Sequence, residues 1–583
     1  MTTINQPVIL MHDPRRGEWL SFSAPVKIIT AHQHADVIPA LQAIQHEVDS
    51  GSRYAAGFIS YEAAPAFDQA LTVKPHDPSF PLLWFGIFPP PTCHTTIPIA
   101  SASQPAITLN WVPSLSRDDY NAALARLRDY LFNGDTYQVN YTIRLLADFN
   151  IDPLAFFHQL IAAQGAHYSA YLHTGPFTIF SASPELFFSM HDGMLESRPM
   201  KGTAPRGLTL DDDRHQAATL QNSEKNRAEN IMIVDMIRND MGRVATPGTV
   251  TPENLFSVER YPTVWQMTSA VSCRTRAKFP EIMTALFPCA SITGAPKPRT
   301  MSIIAELETS PRRIYTGAIG YLSPGSNAQF SVAIRTVLLD NLSHVAEYGV
   351  GGGIVWDSAS KDEYEECLLK AGILKQTTPP FNLLETIRWD PAEGFFLLNR
   401  HLQRLADSAE YFAIPLSIPD VNDKLLKWSA GQSQSQRVRL LISNSGAISI
   451  ESSTLEANAD APVCVRIATN PIDPANRFLY HKTTNRRVYD EAKAAFPDID
   501  DVILWNTARE VTESTIANIV VDLNGTLITP AINGGLLPGT FRAALLEQGK
   551  IKEGLVRVED LASADAIYLI NSVRKWRKAA LLT

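Results

Sequence analysis

RIYTGAIGYLSPGSNAQFSVAIRTVLLD, residues 313–340, is the stretch that decides the fold class. Both of its ends, 313–323 and 330–340, are apolar runs typical of β-strands. Similar strand-like runs occur at 53–62 and 177–190. Helical patterns separate these runs, so we predict mixed sheets with helices packed around them, an α+β or α/β architecture.

Two helical patterns are the clearest, at 117–134 and 223–242. The second has apolar residues at helical spacing, from Ile231 to Met241, which predicts one buried face. Glu229 lies beside this apolar stripe. A carboxylate in that position is ordinarily a half-exposed surface group or an ion-pair partner, so Glu229 by itself indicates no function.

Length and composition limit the class of protein. A chain of 583 residues with 45% apolar and 19% charged residues is typical of a globular protein of two to four domains. The net charge of −9 argues against a nucleic-acid partner. Five cysteines without paired spacing indicate a reducing cytoplasm. No apolar run of about 18 residues and no secretory signal is present, so we expect no membrane association.

Two breaks in composition suggest the domain boundaries. The stretch 88–114 is rich in Pro, Ser and Thr, and a second break with two prolines follows a helical pattern near residue 375. We therefore predict a first domain at 1–375, with an N-terminal lobe of about 110 residues. A linker at 376–381 and a second domain at 382–583 would follow.

The stretch SRPMKGTAPRG, 197–207, places Lys201 in a segment where Pro and Gly prevent a regular helix. A lysine held among arginines has its ammonium form disfavoured and its free amine favoured. A solvated basic loop is the alternative interpretation of the same residues.

A second charged cluster follows three consecutive glycines. Glu363 and Glu366, at i and i+3, share one face of a predicted helix. Gly351, Gly352 and Gly353 are predicted to bend the backbone and to direct N–H groups at an anion. Two glutamates facing such a nest are costly without a cation, and Mg²⁺ prefers carboxylate oxygens.

Tyr321 and Arg335 are predicted to lie on strands. An inward-pointing arginine on a strand normally has a carboxylate partner. The stretch SITGAPKPRT, 291–300, is predicted to form another turn after a helix.

Six motifs, in their order and spacing, resemble the chorismate-binding enzymes. They are GDTYQVNYT (134–142), SASPELF (181–187), MKGT (200–203), RAENIMIVDMIRNDMGRV (227–244), SITGAPK (291–297) and GGGIVWDSASKDEYEECLLKA (351–371). That family includes anthranilate synthase, isochorismate and salicylate synthases, and aminodeoxychorismate synthase component I. The resemblance covers about residues 10–375 and implies an anthranilate synthase-like β-sandwich with surrounding helices.

The resemblance also implies catalytic roles. Lys201 matches the lysine of aminodeoxychorismate synthases that attacks the chorismate ring and is later displaced by ammonia. Anthranilate synthases resemble one another in having alanine at that position. Glu185 matches the general acid that protonates the departing hydroxyl.

Binding roles follow from the same resemblance. Glu229 and Glu366 would be Mg²⁺ ligands, with Glu363 as a neighbour. The groups implied to bind the substrate, chorismate, are Tyr321, Arg335, Thr293 and the amides of Gly351, Gly352 and Gly353. Two residues depart from the family pattern: Gln266 replaces a frequent histidine and Asn226 a frequent aspartate.

The second region resembles the fold-type IV, class IV aminotransferase-like enzymes, which bind pyridoxal phosphate. The matching stretches are LLNRHLQRLADSAEYFAI (397–414), FLYHKTTNRRVYDEAKAAF (478–496), DVILWNTAREVTESTIANIVV (501–521) and LLPGTFR (536–542). The resemblance implies that Lys482 holds the cofactor covalently and that Glu513 pairs with its pyridine nitrogen. The implied phosphate contacts are Arg400, Thr540 and, more weakly, Thr515. The family's opening "GDG" turn is missing.

Fusion of the two regions predicts one function. The first would convert chorismate to 4-amino-4-deoxychorismate, and the second, as a lyase, would release pyruvate and 4-aminobenzoate for folate synthesis. No cysteine lies in a Gly-flanked nucleophile turn, so ammonia would come from a separate glutamine amidotransferase. A homodimer through the second domain is also expected. The alternatives are an anthranilate synthase component fused to an amino-acid aminotransferase, and a non-catalytic chorismate- or cofactor-binding scaffold.

Overall fold

The computed structural model describes residues 8–98, 107–165, 167–356, 358, 360–374, 380–456 and 461–582. The chain divides into two compact units. The first comprises Met1–Pro205 and Ala217–Thr378, and the second comprises Arg206–Gln216 and Pro379–Thr583. Residues 376–379 of the expected linker lie outside the described residues.

The first unit is rich in β-structure. Its strands within the described residues are β1 (Val8–Asp13), β2 (Glu18–Ser23), β3 (Lys27–Ala31), β4 (Tyr54–Ile59), β5 (Leu83–Phe88), β6 (Thr92–His94), β7 (Val112–Pro113), β8 (Gln138–Asp148), β9 (Tyr168–His173), β10 (Phe177–Ser183), β11 (Leu186–His191), β12 (Met194–Arg198), β13 (Met200–Pro205), β14 (Thr251–Arg260), β15 (Val264–Arg274), β16 (Gly294–Ala295), β17 (Ala318–Ser323), β18 (Asn327–Val332), β19 (Thr336–Asp340) and β20 (Val345–Ile354).

These strands form two ten-stranded sheets. The first has the order β16-β8-β20-β19-β10-β9-β1-β2-β6, with β7 beside β8. The second has the order β13-β15-β12-β11-β18-β17-β4-β5-β3, with β14 beside β15. Neighbouring strands pair antiparallel, for example β8 with β20 and β13 with β15.

The two sheets of the first unit pack face to face. One buried cluster contains Ile9 and Leu20 from the first sheet together with Phe58 and Ile319 from the second. Burial of alternate strand residues on the two inner faces gives the core of a β-sandwich. The expected sandwich is therefore confirmed.

Helices surround this sandwich. Those of the first unit are α1 (His34–Asp49), α2 (Arg117–Phe132), α3 (Pro153–Gln164), α5 (Glu224–Gly242), α6 (Phe279–Leu286), α7 (Lys297–Leu307) and α8 (Ser360–Ala371). Helix α4 (Leu210–Asn222) is divided between the two units, because its residues up to Gln216 belong to the second. Helix α5 begins after Ser223, whose side chain accepts a hydrogen bond from the backbone N–H of Asn226. Its predicted apolar stripe is buried at Val234 and Ile237, whereas Ile231 is exposed.

The second unit has two smaller sheets. Its strands are β21 (Leu383–Asp390), β22 (Gly394–Phe395), β23 (Gln436–Ile442), β24 (Ile448–Thr454), β25 (Val463–Ile467), β26 (Asp501–Trp505), β27 (Val511–Ser514), β28 (Asn518–Leu523), β29 (Thr526–Pro530), β30 (Lys552–Gly554), β31 (Ala566–Asn571) and β32 (Lys575–Leu581). Its later helices are α9 (Leu398–Phe412), α10 (Ile418–Ser429), α11 (Arg487–Ala494) and α12 (Thr540–Glu547). The sheets have the orders β22-β21-β23-β24 and β27-β26-β25-β32-β31-β28-β29-β30.

The segment Arg206–Gln216 belongs to the second unit although it follows β13 directly. Arg206 forms a buried ion pair with Asp213, with Nε 2.7 Å from Oδ1, and donates to the carbonyl oxygen of Tyr411. His481 Nε2 lies 3.2 Å from the carbonyl oxygen of Leu208. The sequence interpretation did not anticipate this assignment.

Across the described ranges, we find no helix with both the length and the apolar character required to cross a bilayer.

Two candidate active sites

Lys201 lies on β13, the strand at one end of the second sheet, which pairs with β15. Desolvation of the ammonium group lowers the pKa of Lys201, and the nearby charges of Glu229 and Glu185 only partly oppose this effect. A lowered lysine pKa increases the fraction of free amine, which is the nucleophilic form. The expectation of a poised amine therefore agrees with the position of Lys201, although burial, not the flanking arginines, is the main cause.

Gly353 on β20 makes room for this amine. A Cβ at this position would lie 3.0 Å from Lys201 Nζ and 2.2 Å from Gln138 Nε2. Gln138 is 2% exposed, and neither its amide nitrogen nor its amide oxygen has a hydrogen-bond partner among the described residues. A buried amide without partners is costly, so it indicates a group that is satisfied by a ligand. Gln138 lies in the motif at 134–142, and no pattern in the sequence predicts a role for it.

Glu185 is buried and accepts a hydrogen bond from Ser291, with Oγ 2.6 Å from Oε1. Burial raises the pKa of Glu185 to about 7, against the opposing effects of Ser291 and of the positive charge of Lys201. A carboxyl group with this pKa is partly protonated at neutral pH, as a general acid must be.

Two of the candidate metal ligands lie near the same amine. The charges of Glu229 and Glu366 both act on Lys201. Burial raises the pKa of Glu363, and the negative charge of Glu366 adds to this effect. Carboxylate oxygens near one another are suitable donors for Mg²⁺.

Lys370 already contacts Glu366, one of the candidate metal ligands. Its Nζ lies 2.7 Å from Glu366 Oε1 and donates to the carbonyl oxygen of Gly351 at 3.0 Å. In the part of the chain that the structure describes, no three acidic, histidine or cysteine side chains converge as a coordination cluster. Glu366 is therefore engaged in an ion pair with Lys370 in this structure.

The prediction that three consecutive glycines bend the backbone into an anion-binding nest is wrong. Gly351, Gly352 and Gly353 continue strand β20 and pair in register with Thr142, Tyr141 and Asn140 of β8. None of the three adopts a positive φ. Their lack of side chains instead permits close approach, because a Cβ on Gly352 would lie 3.3 Å from Glu363 Oε2.

Arg335 does not lie within a strand as predicted. It occupies the connection between β18 of one sheet and β19 of the other, with a φ of 50°. Its Nη1 is buried without a hydrogen-bond partner, and burial lowers the pKa of the guanidinium. No carboxylate of the described residues forms an ion pair with it, so this cation is available to an anionic ligand.

The backbone just before Glu185 forms hydrogen bonds with Arg335 and with Tyr261, a neighbour of Arg335. The carbonyl oxygen of Arg335 accepts a hydrogen bond from the N–H of Ala182. The guanidinium lies 6.0 Å from the ring centroid of Tyr261, whose hydroxyl donates to the carbonyl oxygen of Pro184. The unpaired cation and the candidate acid are therefore linked through one short segment.

Two other residues expected to contact the substrate donate hydrogen bonds to groups of the protein. The hydroxyl of Tyr321 donates to Asp13 Oδ2 at 3.0 Å within an aromatic part of the core. The hydroxyl of Thr293 donates to the carbonyl oxygens of Cys289 and Ala290 in its own turn. The placement of Tyr321 is a correction, because its partner is an aspartate of β1 and not a substrate group.

The two departures from the family pattern also have defined partners. Gln266 Nε2 donates to the carbonyl oxygen of Gly202 at 2.8 Å, and its Oε1 accepts from the hydroxyl of Thr203 at 3.0 Å. Asn226 donates to the side chain of Ser223. Gln266 thus fixes the two residues that follow Lys201.

The second unit contains a cavity of about 560 Å³. Lys482, Glu513, Thr515 and Thr540 all line this cavity, as expected. Arg400 does not, and its guanidinium pairs with Glu547 instead. The structure therefore brings together most of the second predicted residue set.

Arg404 takes the position expected for Arg400. It lies one helical turn further along α9, lines the cavity, and donates through Nε and Nη2 to Glu385 at 2.9 and 2.8 Å. Burial would raise the pKa of Glu385, but Arg404 and His401 lower it to about 2. This ion pair holds the guanidinium of Arg404 at the base of the cavity.

Lys482 follows the buried His481 and precedes helix α11. Burial and the nearby charge of Arg404 lower the pKa of Lys482 to about 8. The amine is thus only a little above neutrality, as a proton-transferring or covalent lysine requires.

Glu513 is the carboxylate of this site. It accepts hydrogen bonds from the hydroxyl of Tyr489 at 2.7 Å, the N–H of Leu537 at 3.0 Å and Nδ2 of Asn518 at 3.2 Å. Burial raises the pKa of Glu513 to about 7, and the hydrogen bond from Tyr489 partly opposes the rise. These three hydrogen bonds fix the carboxylate at the lining of the cavity.

Helix α12 begins at Thr540, after Gly539, at the cavity wall. Backbone N–H groups at a helix N-terminus bind phosphate. The hydroxyl of Thr515 donates to Asp501 Oδ1 at 2.5 Å, so it is engaged with the protein. Ser572, a buried cavity residue that the sequence analysis omitted, adds a further hydroxyl.

Known proteins match both units. Residues 6–376 match the chorismate binding enzyme family, and residues 382–582 match the class IV amino-transferase family. The first match covers more than half of this chain, so the chain belongs to the chorismate binding enzyme family.

Individual relatives give a finer comparison. The chain is 41% identical over 273 residues to "Aminodeoxychorismate synthase component 1" of both Klebsiella aerogenes and Escherichia coli (strain K12). The alignments cover 46% of this chain and 60% of each relative. Anthranilate synthase component I from Streptococcus pneumoniae has the same fold, with a TM-score of 0.53 and 24% identity over 64% of this chain and 93% of that one.

Proposed function

We propose that the chain is a bifunctional enzyme that makes 4-aminobenzoate. Its first unit aminates chorismate to 4-amino-4-deoxychorismate, and its second unit eliminates pyruvate from that intermediate. The observation that supports this proposal is the presence of two desolvated lysines, each with a pKa below its usual value and each beside a carboxylic acid near neutrality.

In the first unit, the free amine of Lys201 would form a C–N bond to the chorismate ring. The ring hydroxyl leaves with the proton of Glu185, so that water departs and no hydroxide is released. Ammonia then forms its own C–N bond to the ring while the bond between Lys201 and the ring breaks. The adduct nitrogen keeps its extra proton until this step, so Lys201 leaves as a neutral amine, and the new ammonium group of the product can return a proton to Glu185. Gln138 and Arg335 supply the unpaired buried polar groups that bind the substrate.

A magnesium ion in this site would be held by Glu229 and Glu366, with Glu363 beside them. Its charge would offset that of the dianionic substrate among these carboxylates. Release of Lys370 from Glu366 would leave an ammonium group near the carbonyl oxygen of Gly351.

In the second unit, bound pyridoxal phosphate would supply an electron sink for the elimination. Lys482 would hold the cofactor and transfer a proton at the carbon that bears the substrate amine. Glu513, fixed by Tyr489, would bind the ring nitrogen. Arg404 and the first turn of α12 would hold the phosphate.

The proposal also includes a source of ammonia. The relatives are named as component 1 of their synthase, which supports a second component that acts as a glutamine amidotransferase. All five cysteines are free thiols, consistent with a reducing cytoplasm. A homodimer through the second unit stays a prediction.

A product assay tests this function. The full-length protein is incubated with chorismate, ammonium, Mg²⁺ and pyridoxal phosphate, and the products are separated by chromatography. We expect 4-aminobenzoate and pyruvate from the unmodified protein. Lys201→Ala should form no amino intermediate, whereas Lys482→Ala should accumulate 4-amino-4-deoxychorismate.

Exposed lysines provide matched controls. Lys278→Ala in the first unit and Lys550→Ala in the second remove an amine from the surface and should leave both steps unchanged. Formation of anthranilate would instead favour an anthranilate synthase component, and unchanged products from both active-site variants would exclude the proposal.

A further inference from the structure

Three buried side chains form a chain of hydrogen bonds at the wall of the second unit's cavity. Glu385 on β21, His401 on α9 and Thr540 at the start of α12 are 1%, 0% and 5% exposed. His401 Nδ1 lies 2.6 Å from Glu385 Oε2, and His401 Nε2 lies 3.3 Å from Thr540 Oγ1. Thr540 is the member that lines the cavity. We name Glu385, His401 and Thr540 the buried relay.

Glu385 also holds the arginine of the same wall. Its carboxylate oxygens accept hydrogen bonds from Nε and Nη2 of Arg404, at 2.9 and 2.8 Å. Arg404 Nη1 donates to the carbonyl oxygen of Pro538 at 2.9 Å, two residues before Thr540. One carboxylate therefore fixes a guanidinium directly and, through His401, the hydroxyl at the start of α12.

The charge of Glu385 determines which atoms donate in the relay. Burial raises the pKa of Glu385, but the charges of Arg404 and His401 outweigh this effect and bring the pKa to about 2. An ionised carboxylate only accepts hydrogen bonds, so Nδ1 of His401 carries a proton and donates it.

The other ring nitrogen of His401 accepts. Burial lowers the pKa of His401 below its usual 6.5, and the positive charges of Arg404 and Lys482 add to this effect. The charge and the hydrogen bond of Glu385 oppose it. At neutral pH the ring is therefore neutral, Nε2 has a lone pair, and the hydroxyl of Thr540 donates to it.

This arrangement does not suit a bound phosphate. Phosphate oxygens are acceptors, and a Thr540 hydroxyl that donates to His401 also presents lone pairs to the cavity. Turning the hydroxyl toward the phosphate would leave Nε2 of His401 buried without a partner, which is costly. A proton on Nε2 removes both problems, because the imidazolium then donates to Thr540 and Thr540 donates to the phosphate.

We propose that His401 is a positioning residue that takes up one proton from solvent when an anion binds, and thereby makes Thr540 a donor to that anion. This inference rests on the proposed function of the second unit, in which the first turn of α12 holds a phosphate. Glu385 supplies the countercharge of the imidazolium. Arg404 and Lys482 disfavour the imidazolium until the anion is present.

Competition with sulfate tests this proton uptake without turnover. The full-length protein is loaded with pyridoxal phosphate, and sulfate displaces it at constant ionic strength while the visible absorbance of the bound cofactor is followed. Sulfate is a dianion throughout this pH range, so any change in its inhibition constant with pH reports on the protein. The constant should rise as the pH increases above 6.5, because the anion-bound state then holds more protons than the free state.

Variants assign this dependence to the relay. Lys482 and Glu513 titrate in every variant, so a difference between variants measures His401. Per pH unit, the inhibition constant should rise about three- to tenfold more in the unmodified protein than in Thr540→Val or His401→Asn. Thr540→Ser keeps the hydroxyl and should keep the dependence. Thr526→Val, at an exposed position of β29, is the matched control and should also keep it.

The outcomes separate the inference from the proposed function. An equal pH dependence in the unmodified protein, Thr540→Val and His401→Asn would overturn the inference even if the protein releases pyruvate from supplied 4-amino-4-deoxychorismate. Loss of the dependence in Thr540→Ser would overturn it as well, because the hydroxyl would then not be the cause. If the dependence follows the hydroxyl but the unmodified protein does not convert the intermediate, the relay stands and the lyase activity is rejected.

Discussion

Lys201 and Lys482 are two buried amines in different electrostatic surroundings. Around Lys201, the charges of Glu229, Glu185 and Glu366 oppose the lowering of its pKa by burial. Around Lys482, the charge of Arg404 adds to the effect of burial and lowers the pKa to about 8, while the charges of Glu385 and Glu513 oppose it. Desolvation thus produces a free amine in both places, but the neighbouring charges determine which ligands can approach.

The difference predicts different requirements for the same kind of substrate. A dianion that enters the first unit meets carboxylates and would need a divalent cation between them. A dianion that enters the second unit meets guanidinium groups directly. Under the proposed function, one chain would therefore bind closely related anions in two ways, one with a metal ion and one with side chains.

The largest expected effect is on Glu185, the acid of the first unit. Glu185→Gln cannot supply the proton, so amination should slow about 10²- to 10⁴-fold, whereas elimination from supplied intermediate should not change. In the unmodified protein, amination should fall as the pH rises through about 7, because Glu185 then loses its proton. The measurement is a pH–rate profile for each step, with the exposed Glu306→Gln as control.

The contact of Lys201 with β20 gives the next largest effect. Gly353→Ala places a methyl group 3.0 Å from Lys201 Nζ and 2.2 Å from Gln138 Nε2. Displacement of the amine should slow amination about 10²-fold. Gly372→Ala, which meets no atom within 4 Å, is the control, and equal rates for the two variants would contradict the close approach.

Removal of the metal ion distinguishes directly between the two expected modes of anion binding. A chelator should slow amination at least about tenfold, because the carboxylates around Lys201 would then repel the substrate. Elimination from supplied 4-amino-4-deoxychorismate should continue at its original rate. Parallel losses in both steps would mean that the comparison between the sites is wrong.

Salt gives the smallest expected effect. Raising the ionic strength from about 0.1 M to about 1 M shortens the screening length from about 10 Å to about 3 Å. We expect the KM of elimination to rise about two- to fivefold, because six arginines line the cavity of the second unit and salt screens their attraction for an anionic substrate. Initial rates with potassium chloride test this, and a falling KM would argue against electrostatic attraction.

Sequence could predict the sandwich and the two amines, because strand patterns and ordered motifs are local properties. It could not decide between Arg400 and Arg404, since both lie on one face of α9 and only the tertiary structure shows that Arg400 pairs with Glu547. The family resemblance implies a substrate contact for Tyr321, and the sequence could not show its partner in the structure, because Asp13 is 308 residues away in the chain.

The glycines show a different limit. Three glycines in a row are compatible with a bent nest and with an extended strand, and the pairing partner decides between them. Strand β8 supplies that partner for Gly351 to Gly353. Gln138 lies on the same strand. Its proposed role depends on the burial of its side chain, which no local sequence pattern indicates.

The assignment of Arg206–Gln216 to the second unit has a consequence for anyone who wishes to divide this chain. A fragment expressed from residue 379 onward would lack the carbonyl group of Leu208 that contacts His481, the residue immediately before Lys482. It would also lose Arg206 from the backbone of Tyr411. Cutting the chain at the linker therefore gives an incomplete second unit. A complete one must also include the eleven residues Arg206–Gln216 from the middle of the sequence.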